Sequence, residues 1–230
     1  MSSHGGAIRP KVARNESEQC DIARCERRRH GLTRLCSMHR DRRRSFGHPE
    51  ARMILPRDYM QERRDVAALF KANPEHPALL AAAAFIQQWL DASAGGDQQQ
   101  PGFRHLARLH RRGITPMTIL AECSAVWLHV DRYQKPDDMR LDFALAVAML
   151  RLAPRDFVKG YQYPSGERRY YRDAGHTDRA AIGDHLRSGL ARLFVRIVVA
   201  CREREERAQQ QHAAESAAFV IPTIRKRKQK

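Results

Sequence analysis

The sequence predicts a mainly α protein in two parts: a small N-terminal module made of a knuckle plus a helix, then a multi-helix domain with one β-hairpin. Three observations predict this. Three of the five cysteines cluster with a histidine inside twenty residues, which is too short a segment to fold on apolar burial alone. Apolar residues recur at steps of three and four through most of 58–201, the period of helices with one buried face. That period breaks once, at 157–172, where β-formers flank Pro164-Ser165-Gly166.

The clustered residues are Cys20, Cys25, Cys36 and His39, spaced C-x4-C-x10-C-x2-H. Thiolates and a neutral imidazole at such spacing suit a tetrahedral zinc ion, and a closed four-ligand site is structural rather than catalytic. The module, 18–57, therefore reads as zinc-binding and treble-clef-like. A knuckle supplies Cys20 and Cys25, Gly31 turns the chain, and a helix from about Leu35 supplies Cys36 and His39 on one face of its first turn. Gly47 and Pro49 stop that helix. Zn2+ would supply most of the module's folding free energy.

Arginine crowds the same stretch. Residues 20–44 hold nine arginines against three acids; three thiolates and a dication add a net −1, which leaves about +5. Arg27, Arg28 and Arg29 precede the turn, and Arg40, Arg42, Arg43 and Arg44 follow the second ligand pair. The whole chain carries a formal net charge of +16 with a pI near 10.4, an excess that favours polyanions. These arginines are the candidate nucleic-acid contacts, with DNA ahead of RNA.

On these residues the stretch resembles a zinc-finger segment of phage and bacterial mobile-element DNA-binding proteins. In that group two cysteines precede a Gly-Leu-Cys-x-x-His segment, an arginine-rich helix and a Gly-x-Pro ending. Leu35-Cys36-Ser37-Met38-His39, Arg40 to Arg44 and Gly47-His48-Pro49 match it, with Arg34 where the group has glycine. The match covers about residues 20–49. Some of the group are HNH nucleases, so the resemblance implies DNA binding, zinc and, for part of the group, phosphodiester cleavage.

The remaining chain reads in order as follows. Residues 1–17 are polar without periodicity and read as a mobile basic arm. The helical domain spans 58–215. Its first helices cover 58–72 and about 75–92, separated by Asn73-Pro74. The run 92–101, ASAGGDQQQP, reads as a flexible loop. Helices follow over 103–112, over 116–132 with Thr115-Pro116 at its start, and from about 136 to 152. The hairpin 157–172 alternates Tyr161, Tyr163, Tyr170 and Tyr171 with Lys159, Arg168, Arg169 and Arg172, a basic aromatic ribbon able to stack on bases or to pack on helices. Thr177 caps the last helix, whose apolar stripe runs Ile182, Leu186, Leu190, Leu193, Ile197, Cys201. Past Cys201 it turns polar and reads as projecting into solvent or pairing with a partner. The tail 216–230 is basic, and Arg225, Lys226, Arg227 and Lys228 join the candidate phosphate contacts.

Enzyme readings find little support in these residues. An HNH site needs a second histidine–asparagine–histidine frame, and neither Asn15 nor Asn73 stands in one. His176 to Arg179 fits the H-x-x-R of tyrosine recombinases, yet no tyrosine lies downstream of Tyr171; a helix start explains it better. His105 and His110 read as facing phosphate or solvent, and Cys123 and Cys201 as core. The function expected is a non-enzymatic, zinc-dependent DNA-binding protein, an accessory or regulatory factor of a bacterial, phage or mobile-element system. The alternatives are a protein–protein adaptor with a structural finger and, more weakly, a nuclease or recombination enzyme. A protein partner or homodimer through the helical domain is expected, a membrane is not, and the location is cytoplasmic, on the nucleoid.

Overall fold

The computed structural model describes residues 8–95, 100–133, 138–162, 166–171 and 173–218. Eight helices and one pair of strands form among them: α1 (Ile8–Glu16), α2 (Ser37–Phe46), a 3-10 turn (Pro56–Tyr59), α3 (Met60–Ala72), α4 (Pro77–Gly95), α5 (Phe103–Arg111), α6 (Pro116–Tyr133), α7 (Asp138–Arg151), β1 (Phe157–Gln162), β2 (Gly166–Tyr171) and α8 (His176–Ala218).

The core gathers around α6. Ile119, Leu120, Cys123, Ala125, Val126, Leu128 and Val130 of this helix are all buried, as are Glu122, Ser124 and His129, so it is enclosed on nearly every side and sits in the middle of the bundle. Helices α3, α4, α7 and α8 pack around it. Tyr59, Ile86, Leu90, Leu106, Leu145, Met149, Ile182, Leu186 and Phe194 close the interior. Each large apolar side chain so buried contributes about 1.5–3 kcal/mol.

Helices α7 and α8 come together at a glycine. A Cβ on Gly183 would lie 2.0 Å from the carbonyl oxygen of Asp142. No side chain fits there without parting the two helices. Gly183→Ala is therefore expected to destabilise the fold by about 3 kcal/mol, read as a lower urea midpoint by circular dichroism. An unchanged midpoint would refute this packing.

Buried charges hold the bundle in register. Glu122, nearly buried on α6, accepts from the hydroxyl of Tyr59 at 2.5 Å and from Nε of Arg63 at 2.7 Å. Burial, and then the Glu122 carboxylate, push the Tyr59 phenol well above its usual range. Arg132 bridges Glu62 and Asp65 of α3 and Glu205 of α8. Glu122→Ala strands the Tyr59 hydroxyl, and a loss of about 2 kcal/mol is expected in the same urea assay.

Several expectations need correction. Residues 8–16 of the expected arm form α1. Its end is pinned to the module by the Asn15 amide, which donates to the carbonyls of Gly31 and Thr33 at 2.8 Å each, and by Glu16, which accepts from the Gly31 N–H at 2.9 Å. Those tertiary bonds stabilise a segment that has no amphipathic period of its own. Helix α4 extends through Ala92 and Ser93 to Gly95, because Ser93 is buried and returns its hydroxyl to Leu90 O. Within the expected loop, 96–99 lie outside the described residues. The last helix begins at His176 rather than after a Thr177 cap; Asp178 is the side chain that accepts the Gly175 N–H, at 3.1 Å. Strands β1 and β2 pair antiparallel, from Phe157 opposite Tyr171 to Gln162 opposite Gly166. The turn expected at Pro164 lies at 163–165, outside the described residues. Beyond Cys201, residues 202–216 of α8 are exposed apart from Glu205, which meets Arg132.

Candidate metal centre

The module is built as its ligand spacing requires. Cys20 begins a knuckle whose backbone closes through the N–H of Cys20 to Arg27 O and the N–H of Arg29 to Glu18 O, each 2.9 Å. The chain turns between the first two cysteines with Arg24 at φ 63°, a left-handed position that most residues avoid. Gly31, at φ 61°, makes the second turn. Cys36 then stands extended at the N-cap of α2, and His39 follows in the first turn. Gly47, at φ 77°, ends the helix with its N–H on Arg43 O.

The four side chains converge. Each offers one ligand atom, and these atoms all lie within 4.8 Å of one another. Nδ1 of His39 is 3.3 Å from Sγ of Cys20 and 3.4 Å from Sγ of Cys36, and the Cys25 and Cys36 sulfurs are 3.9 Å apart. A tetrahedral ion with Zn–S and Zn–N bonds of ordinary length separates two sulfurs by about 3.8 Å and sulfur from nitrogen by about 3.5 Å. The residues therefore fit such an ion. All five cysteines are free. Among the described residues this is the one group of three or more His, Cys, Asp or Glu side chains that could hold a metal ion.

The local field prepares one thiol. Burial opposes ionisation of Cys20, but N–H groups of Ile22 and Cys36, with His39 and Cys25 beside it, bring its pKa down to about 7. At Cys25 the backbone of Arg27 favours the thiolate, yet burial and the sulfurs of Cys36 and Cys20 together raise its pKa. The first proton to be displaced by a metal is thus held weakly, and binding should release the others. A small apolar cluster of Cys20, Leu35 and Cys36, with Ile22 and Met38 packed on it, covers the site from inside.

The arginines divide into two groups. Arg27 and Arg42 line one open groove together with Arg24 and Arg52, alongside Cys25 and His39; Glu26 and Glu50 line it too, so the arginines outnumber the acids four to two. Arg24 and Arg52 were not among the expected contacts, since one looks like part of the knuckle and the other stands in the connector. Arg28, Arg43 and Arg44 are exposed. Arg40 is half-buried against Asp41. Arg29 corrects the expectation: its guanidinium turns inward to Glu18, to Asp21 at 2.5 Å and to the carbonyl of Gln19 at 2.9 Å. It braces the knuckle, because its backbone pairs with Glu18 and brings those acids within reach.

The other expected contacts stand apart. Arg168 and Arg169 fall on β2 opposite Gly160 and Lys159, and their side chains lie outside what is described. Arg225, Lys226, Arg227 and Lys228 lie outside the described residues. His105, expected to face phosphate or solvent, is 4% exposed with Nε2 3.4 Å from the Asp178 carboxylate. Burial lowers its pKa despite that carboxylate. His110 lies 3.3 Å from Asp91 at the surface. Asp178 also accepts from the Gly102 N–H and from Arg104, so the His176–Arg179 segment is a helix start tied to α5. Cys123 and Cys201 are core residues; burial raises both thiols, Cys201 to about 11.

The module is docked on the bundle. A Cβ on Gly47 would meet the Met139 carbonyl at 2.8 Å and the Phe143 ring at 2.9 Å, so the end of α2 lies directly on α7. Arg179 donates to Ser45 O at 2.7 Å and Arg151 to Ile54 O at 2.6 Å. No family model, curated protein or solved structure matches this chain. Among the described residues no helix is long and apolar enough to cross a membrane.

Proposed function

We propose that the chain is a zinc-dependent nucleic-acid-binding protein, acting on DNA ahead of RNA and without a catalytic step of its own. The observation that carries this reading is the groove in which Arg24, Arg27, Arg42 and Arg52 outnumber Glu26 and Glu50 beside Cys25 and His39 of the Cys3His cluster. A metal that fixes the knuckle against α2 fixes these guanidinium groups at one spacing, which suits successive phosphates of a backbone. The left-handed backbone of Arg24 supports it, because glycine would adopt that turn at lower cost and would supply no charge.

The zinc ion, when bound, supplies structure: it ties four side chains and leaves the arginines to make the contacts. The resemblance to finger segments of phage and mobile-element DNA-binding proteins points the same way, toward an accessory or regulatory factor on the nucleoid. The helical bundle is the platform on which the module is held. Fluorescence anisotropy of a labelled duplex tests this. Arg27→Gln with Arg42→Gln should weaken binding about tenfold or more, whereas Arg204→Gln, an exposed change on the far part of α8, should not. Equal affinities would overturn the reading. Incubation with supercoiled plasmid and Mg2+ or Mn2+ should produce no nicking.

A further inference from the structure

Four arginines meet in a second place that the finger does not use. A cavity of about 310 Å3 lies where the end of α2, the end of α7, the segment 153–155 and the start of α8 converge. Arg108, Arg151, Arg155 and Arg179 line it, and among the described residues Asp173 is the one acid on its wall. Phe46 of α2 closes one side.

Two of these guanidinium groups reach into the fold, and Arg155 stands at the open side. Arg108 is only 4% exposed. Its Nη2 donates to Leu150 O at 3.0 Å, but its Nε is buried and meets no acceptor among the described residues. Arg151 spends Nη1 on Ile54 O, and its buried Nη2 likewise meets none. Arg155 is bound to Asp173 at 3.1 Å, so the wall's one acid is already engaged. Asp156, outside the lining, acts on Arg108 as well but is bonded to Arg111 at 2.9 Å. Burial lowers the pKa of Arg179, and the guanidinium groups of Arg155 and Arg151 add to this against the pull of Asp173. Buried guanidinium groups with unused donors are costly unless an anion completes them.

We infer that this cavity is a binding site for a phosphoryl group, held by Arg108, Arg151, Arg155 and Arg179. A phosphate monoester is a dianion with three terminal oxygens, and several guanidinium forks can share them; a carboxylate has only two oxygens and one charge. The site stands at the junction of the module and the bundle, so its occupant would also brace that junction. The reading does not depend on duplex contact by the finger.

The experiment is a thermal-shift titration of the full chain with sodium phosphate, against sodium chloride and sodium acetate at matched ionic strength. Phosphate should stabilise the chain with saturation at one site, and the other two salts should not. Arg155→Gln, a half-exposed change, should weaken phosphate about tenfold. Asp173→Asn should tighten it about fivefold, because it removes the acid that lines the cavity and competes for Arg155 and Arg179. A structural role for Asp173 would not produce tighter binding. Competition separates the sources of the group. If a 5′-phosphorylated oligonucleotide displaces phosphate and its 5′-hydroxyl counterpart does not, the phosphoryl belongs to a nucleic-acid end. If a nucleoside monophosphate displaces it and the two oligonucleotides are alike, it belongs to a small molecule. A response to acetate equal to that to phosphate, no saturable response, or affinities unmoved by both substitutions would overturn the proposal.

Discussion

Cys36→Ser should purify without bound zinc and bind duplex at least a hundredfold more weakly than the wild-type chain. The serine oxygen is a poor replacement for a thiolate, and the loss falls on the residue at the N-cap of α2, whose sulfur lies 3.4 Å from His39 Nδ1. A structural zinc site contributes roughly 10–16 kcal/mol of apparent binding free energy, far more than the small Cys20–Leu35–Cys36 cluster can replace. Without it the knuckle and α2 separate, and Arg27 and Arg42 no longer line one groove. The bundle has its own core around α6 and should remain folded. Circular dichroism should therefore keep most of its helical signal while zinc and duplex binding disappear together. A Cys36→Ser chain that binds duplex like the wild type would separate the metal from the function.

Duplex affinity should fall about a thousandfold between 50 and 200 mM salt. Contact with about six phosphates gives a log–log slope near −5, since each releases condensed counterions. Arg24, Arg27, Arg42 and Arg52 in the groove and the exposed Arg28, Arg43 and Arg44 are enough to supply such a number. Arg29 is left out because its charge is engaged by Glu18 and Asp21. Removing one exposed arginine, Arg43→Gln, should reduce the slope by about one unit and weaken all sequences alike. Anisotropy titrations at four salt concentrations read both quantities, and a slope near zero would contradict the electrostatic mechanism.

The convergence of Cys20, Cys25, Cys36 and His39 was legible because metal sites impose spacing. Two cysteines on a knuckle and a Cys-x-x-His at a helix start admit few other uses. The bundle was legible for the related reason that Leu186, Leu190 and Ile197 repeat at helical steps and are all buried. Helix α1 was not, because IRPKVARNE has no apolar stripe and is held by Asn15 and Glu16 reaching Gly31 and Thr33, a contact between segments. Arg29 looked like its neighbours Arg27 and Arg28; only the pairing with Glu18 shows that it faces inward. His105 lies beside the apolar Phe103 and Leu106, and its burial depends on Asp178, more than seventy residues away. The second arginine cavity was the least legible feature. Arg108, Arg151, Arg155 and Arg179 are scattered along the chain, and arginines so placed ordinarily read as a solvated surface.

Zinc held by the Cys3His cluster is what would fix the knuckle against α2 and set the arginines in one groove. Elemental analysis of the full chain purified without chelator measures this directly. One zinc per chain, lost in Cys36→Ser, is the result expected. Protein that is folded, binds duplex and contains no zinc would contradict it.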